Sequence, residues 1–328
     1  MGGHRLVAEV WRGDFLESEH HGSVVALDVD SHPVLTVGQP SAPMYPRSSN
    51  KPIQSTAMLR SGLDLDGDLL ALASASHSGE AYHLDGVRRI LKQAGLAESD
   101  LGNTPGLPLS ADALAAHHAA GHGPERITMN CSGKHAAMLA TCVVAGWPTE
   151  SYLSPDHPLQ RAIRRTVEDL SGESVAAVGV DGCGAPLFAI SLVGLARAFG
   201  RIATAHPGTP EGRVAAAMRA HPEYVGGTGR DVTDLMRLVP GLVAKDGAEG
   251  VYAAALPDGG AVALKIADGS GRARPAVLVA ALRHLGADLS AVDARPAESS
   301  LATPPVLGHG VPVGAVRPTA ALAAPARV

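Results

Sequence analysis

Lysine is scarce in this chain of 328 residues. Only five of its 27 basic residues are lysine, at positions 51, 92, 134, 245 and 265. Arginine serves wherever a plain positive charge is needed, so a retained lysine points to an amine that must be able to lose its proton, which arginine cannot do. Lys92 falls on a charged helix face, Arg88-Arg89-Ile90-Leu91-Lys92, and is expected to be solvated. Lys51, Lys134 and Lys245 stand instead among Ser, Cys and Gly neighbours. Cysteine is scarce too: the odd set of Cys131, Cys142 and Cys183 excludes a disulfide framework. No apolar run reaches the roughly 18 to 20 residues of a membrane span. A net charge of −5 gives no reason to expect a nucleic-acid partner. Met1 to Arg5 leads straight into a strand-like pattern with no signal-peptide character, so a cytoplasmic protein is expected. What remains, 45% apolar and 18% charged residues, is a soluble globular composition with enough chain for a sizeable core.

Strands are expected at Leu6 to Trp11, Val24 to Val29 and Pro33 to Val37, with turns at His20-His21-Gly22 and Asp28 to His32. A helix is expected to begin near Ser48, with Pro52 in its first turn, where proline is tolerated. Further helices are expected at Leu69 to Ala75, Tyr82 to Gln93 (closed by Gly95), Ala111 to Ala120, His157 to Leu170 (capped from Ser154-Pro155-Asp156), Phe188 to Phe199, Glu211 to Ala220, Asp231 to Leu238 and Arg274 to Leu285. Ser174 to Val180 reads as a strand. So do Gly241 to Lys245, Gly250 to Leu256 and Gly260 to Ile266, the last two joined by the hairpin turn Pro257-Asp258-Gly259-Gly260. The Pro/Ala-rich tail after Pro296 reads as loop. Strands therefore gather at both ends of the chain and can pair into one antiparallel sheet, an α+β pattern. The expected organisation is one domain over 1–328 with a helical subdomain at roughly 66–200.

The densest chemistry is Asn130-Cys131-Ser132-Gly133-Lys134-His135. It opens the small apolar run Ala136-Ala137-Met138-Leu139-Ala140 and reads as a turn feeding a helix, with Asn130 or Ser132 as N-cap. The unpaired N–H groups of a helix start suit an anion or a thiolate. Cys142, deeper in that helix among Leu139, Val143 and Val144, reads as a small core residue. Cys183 stands in a second Gly-containing turn, Asp181-Gly182-Cys183-Gly184-Ala185-Pro186. Two thiolates on separate turns suit a borderline ion such as zinc, and Lys134 can supply a neutral amine. His135 and Asp181 can be further ligands or can orient those ligands. Ser48-Ser49-Asn50-Lys51 is an S-x-x-K arrangement at a helix start, in which a lysine can take the serine proton; the bland alternative is a capping serine and a surface lysine. Lys245-Asp246-Gly247 ends an apolar strand and half matches the K-[ST]-G triplet that completes S-x-x-K sites of the penicillin-recognising kind. Ser76-His77-Ser78-Gly79-Glu80 puts two hydroxyls, an imidazole and a carboxylate in one turn.

Taken together, these five motifs resemble the rhizobial-type L-asparaginase II family, over roughly Arg5 to Leu285. The resemblance implies a fold similar to serine β-lactamases and serine-dependent glutaminases, and hydrolysis of L-asparagine to L-aspartate and ammonia. It implies two Ser–Lys tandems, Ser48 with Lys51 and Ser76 with Lys245. It implies zinc held by Cys131, Lys134 and Cys183, substrate contacts from Arg47, His135 and Asp181, and a homodimer. Asp246 departs from the pattern without removing a catalytic candidate. Two other readings stand beside it. One is a glutaminase or other amidohydrolase on the same fold; its β-lactam version is disfavoured because a clear S-D-N triplet is absent. The other is a non-catalytic module in which Cys131 and Cys183 hold a structural zinc.

Overall fold

The computed structural model describes residues 3–323; residues 1–2 and 324–328, the ends of the expected 1–328 domain, lie outside the described residues. The strands are β1 (Arg5–Arg12), β2 (Phe15–Leu27), β3 (Pro33–Val37), β4 (Val178–Val180), β5 (Pro186–Phe188), β6 (Val243–Gly247), β7 (Val251–Ala255), β8 (Ala261–Ile266), β9 (Pro305–Gly308) and β10 (Val311–Pro318). The helices are α1 (Lys51–Arg60), α2 (Gly67–Ala73), α3 (Ala81–Gln93), α4 (Ala111–Ala119), α5 (Ser132–Ala145), α6 (Pro158–Ser171), α7 (Leu192–Thr204), α8 (Pro210–Ala220), α9 (Pro222–Val225), α10 (Asp231–Leu238), α11 (Arg274–His284) and α12 (Ser290–Asp293). Among the described residues they fall into two compact units, one of residues 3–49, 190–204 and 235–323, the other of residues 50–189 and 205–234. Among the described residues no helix is long and apolar enough to cross a membrane.

The first unit is built on an antiparallel sheet of eight strands in the order β6-β7-β8-β2-β1-β10-β9, with β3 added alongside β2. The α+β expectation holds: strands from both ends of the chain pair, β2 with β8 and β1 with β10. β2 is the spine. Its first half lies against β1 and alternates in exposure, as a strand with one wet face should. Its second half, Ser23 to Leu27, is buried throughout, flanked by β8 and β3. β7 is buried along its whole length, and α7 and α11 pack on β8.

Two expectations fail here for identifiable reasons. His20-His21-Gly22 is no turn; the chain reverses at Gly13, whose φ of +57° a glycine adopts at no cost. Gly22 serves a different purpose, since a Cβ there would stand 2.6 Å from the Lys265 carbonyl oxygen of β8. The tail is not loop either. Its prolines hide a strand, β10, which pairs with β1 from Ala8↔Pro318 to Arg12↔Gly314.

The second unit is helical around α5. Residues 132–142 of that helix are all buried, and α1, α2, α3 and α6 pack on it. Small side chains at Ala136, Ala137 and Ala140 let those neighbours approach, and Gly146, at φ +68°, ends the helix in the left-handed conformation. Gly133 is needed at its start, because a Cβ would lie 2.6 Å from the Leu72 carbonyl oxygen of α2. The cap is neither Asn130 nor Ser132. Cys131 occupies the N-cap position with no side-chain cap bond, and Ser132 is already helical. α6 is likewise capped by His157, whose ring accepts from the Leu159 amide. The strand expected at Ser174 to Val180 shrinks to β4, which pairs with β5 around the Cys183 turn and delays the start of α7 to Leu192.

Candidate active site

Lys51 is the first residue of α1 and is almost fully buried. Its Nζ reaches three acceptors: the Ala75 carbonyl oxygen, the Ser76 Oγ at 3.1 Å and the Cys131 Sγ at 3.1 Å. Ser76 follows the end of α2, and its backbone N–H is held by the Val225 carbonyl at 3.0 Å. The next turn closes through Gly79, at φ +75°, packed so closely on Pro108 that a Cβ would meet it at 2.8 Å.

Beside this trio, Cys131 and Cys183 are buried together with Ala185 between α5 and the β4–β5 turn. That turn is tight: the Gly184 amide, at φ +91°, donates to the Asp181 carbonyl at 2.8 Å. The Lys134 Nζ lies 3.1 Å from the Cys183 Sγ. Burial disfavours its charge, yet the two thiols and Asp181 outweigh that and hold the Lys134 amine protonated well above its usual range. The bond to Cys183, together with Lys51 and Lys134, carries the Cys131 thiol far below its ordinary value against the opposing effect of burial, while the same bond and burial push Cys183 up. His135 is buried and neutral, its pKa brought down to about 4 chiefly by burial. Its Nδ1 is hydrogen-bonded to the Tyr152 hydroxyl at 2.6 Å, and its Nε2 has no hydrogen-bond partner.

Among the described residues, no three His, Cys, Asp or Glu side chains are grouped to hold a metal ion. The candidate set is of another kind, two thiols and a lysine amine, with the orphaned His135 nitrogen on the residue after that lysine. Its donors are chemically suited to a thiophilic or borderline cation, provided the Lys134 proton is displaced. Asp181 accepts from the Gly182 amide at 2.9 Å and lies 3.8 Å from the Cys183 thiol, so it shapes the turn that carries the sulfur.

The remaining candidates sit in the first unit. Arg47 adopts φ +50° and forms an ion pair at 3.7 Å with Glu249, itself at φ +58°. A non-glycine residue in this region is strained by about 1 kcal/mol or more. Ser48 follows, partly exposed, on the short 3₁₀ turn Arg47–Asn50. Ser49 is buried and donates to the Lys245 carbonyl at 2.9 Å, which fixes this turn on the edge strand β6. Gly247 permits the approach: a Cβ there would meet both the Pro46 carbonyl and the Ser49 hydroxyl at 2.9 Å. Lys245 is buried, its Nζ donating to the Asp246 carbonyl at 2.8 Å and to the Asp246 carboxylate. Arg274 braces the same segment, bonding the Gly247 carbonyl at 2.6 Å and standing 3.8 Å from Asp246.

The structure thus joins Lys51 to Ser76 and Cys131, and Lys134 to Cys183, within one unit. Sequence reasoning missed four residues that set this geometry: Ser49, Tyr152, Asp246 as a partner of Lys245, and Arg274. For Asp246 the signal was present, a carboxylate next to a scarce lysine, but it reads as a blemish in a triplet motif. No curated protein matches the chain. The family model for L-asparaginase II matches residues 8–318, which includes every one of these motifs, and the chain belongs to that family.

Proposed function

We propose that this L-asparaginase hydrolyses the side-chain amide of L-asparagine through Ser48, Lys51, Ser76 and Lys245. Lys51, in its amine form, takes the Ser48 proton as Oγ attacks the amide carbonyl. It returns that proton to the departing nitrogen, so ammonia leaves and an aspartyl ester remains on the serine. Water then cleaves the ester and L-aspartate is released. Ser76 relays the proton on Lys51, and Lys245 supplies positive charge. The observation that carries this reading is the 3.1 Å contact between the Lys51 amine and the Ser76 hydroxyl inside a buried site. The three-residue spacing of Ser48 and Lys51 adds to it.

Cys131, Lys134 and Cys183 are the residues that would hold zinc. Bound there, the ion would orient the amino-acid substrate without generating the nucleophile. Arg47, His135 and Asp181 are assigned to substrate binding, and Asp181 also shapes the cysteine turn. The wider resemblance supports a serine β-lactamase-like fold and a cytoplasmic homodimer. Ser48→Ala and Ser76→Ala, each assayed for ammonia release from L-asparagine, test the mechanism. Loss of turnover in both is expected, and full activity in both would end it.

A further inference from the structure

We propose that His77 is a positioning residue that sets the distance between Ser76 and Cys131 through a bond to Ser132. The inference rests on the roles given above to Ser76 and Lys51.

His77 is fully buried. Its backbone N–H donates to the Asn130 carbonyl at 3.1 Å, so the Ser76 turn already lies along the start of α5. Its ring adds two further ties. Nδ1 is 3.1 Å from the Gly79 amide and must accept from it, so Nδ1 carries no proton. Nε2 therefore carries it and donates to the Ser132 Oγ at 2.8 Å. The Ser132 hydroxyl passes its own proton on to the Ile127 carbonyl at 2.7 Å. Every proton in this chain has one place to go. Burial, with His83 and Lys51 nearby, holds the ring neutral far below the usual histidine range, in keeping with that assignment.

The register is the important part. Ser76 precedes His77, and Cys131 precedes Ser132. The bond between the second members of these two pairs fixes the separation of the first members. Those first members are the two side chains that Lys51 touches, each at 3.1 Å. A shift of about 1 Å in such a contact is worth up to a hundredfold in rate. The His77 ring bonds Ser132 and the Gly79 amide, so its hold on the Ser76 position passes through the backbone.

Three variants test this against Ser76→Ala and wild type: Ser132→Ala, His77→Asn and His77→Gln. Asn keeps an acceptor for the Gly79 amide and loses the donor to Ser132, whereas Gln places an amide donor near the Nε2 position. Ser132→Ala and His77→Asn should lower kcat about tenfold or more with KM nearly unchanged. His77→Gln should recover most of that loss. Wild-type kcat in Ser132→Ala, with Ser76→Ala inactive, would overturn the inference and leave the mechanism standing; so would a folded His77→Gln as slow as His77→Asn. Full activity in Ser76→Ala would instead remove the relay role of Ser76 on which the inference rests, and full activity in Ser48→Ala as well would end the mechanism itself. Ser132→Ala removes a single oxygen, so the test survives should the His77 variants fail to fold.

Discussion

The Lys51 amine touches the Cys131 thiol and the Ser76 hydroxyl at the same distance, 3.1 Å, so one side chain is shared by the Ser76 turn and the sulfur cluster. A buried lysine with such partners does more than fill space. It puts one amine in contact with both a hydroxyl and a thiol.

Replacing Lys51 by Met should therefore lower kcat by about 10²- to 10⁴-fold, the usual contribution of a positioned acid–base group. Lys51→Arg should not restore it, because a guanidinium cannot give up its proton at working pH. Steady-state ammonia release decides the matter, and substantial activity in the Arg variant would show that Lys51 acts through its charge alone.

The sulfur pair gives a second prediction. Cys183→Ser should reduce zinc content, measured on purified protein by elemental analysis, and should raise KM more than it lowers kcat. Cys142→Ser should leave zinc content unchanged. Cys142 is buried in α5, where burial alone pushes its thiol up to about 12, the mark of an inert core residue. Equal zinc in the Cys183→Ser variant would remove Cys183 from the ligand set.

Stability should fall on the acid side for a reason that can be traced to one ring. His83 is buried, with Nδ1 accepting from the Glu80 amide at 3.2 Å and Nε2 donating to the Glu223 carbonyl at 3.0 Å. Burial lowers its pKa from 6.5 to about 4. The unfolded chain therefore takes up this proton first as pH falls. The native state keeps the full benefit above pH 6.5 and loses it progressively down to about pH 4, by an amount on the order of 3 kcal/mol. His83→Gln should flatten this limb of the stability curve in denaturant titrations at pH 7, 5.5 and 4.5. An unchanged slope would mean that His83 does not carry it; His77 and His135, also buried and neutral, would be the next to test.

Much of the fold can be read from periodicity and turn chemistry. The helix at Ala81–Gln93, stopped by Gly95, and the hairpin across Pro257 to Gly260 follow from local pattern alone. What fails is decided at long range. Gly22 looks like a turn glycine, and only the approach of β8, more than 230 residues away in the chain, shows that it stands inside a strand. The tail reads as loop because Pro312 and Pro318 hide the alternation of β10, which β1 completes.

The site divides in the same way. Scarce lysines, cysteines in Gly-containing turns and a crowded Ser-His-Ser turn mark segments that meet in the structure, Lys51 with Ser76 and Cys131, and Lys134 with Cys183. Pairwise partners are not legible there. Lys51 is three residues from Ser48 in sequence, and only the packing of α2 on α5 reveals that Ser76 and Cys131 also meet it. Gly133 shows the same limit: its lack of a side chain is readable only as flexibility, while its role is to admit the Leu72 carbonyl.

The pairing of β10 with β1 has a consequence for how the protein is born. Residues 5–12 leave the ribosome early but find one of their two neighbours only when residues 311–318 have been made. Until then β1 offers a bare hydrogen-bonding edge, open to other nascent chains. Completion of the sheet on that side of β1 thus waits for residues 311–318, and until then the hairpin of β1 and β2 keeps one unpaired edge.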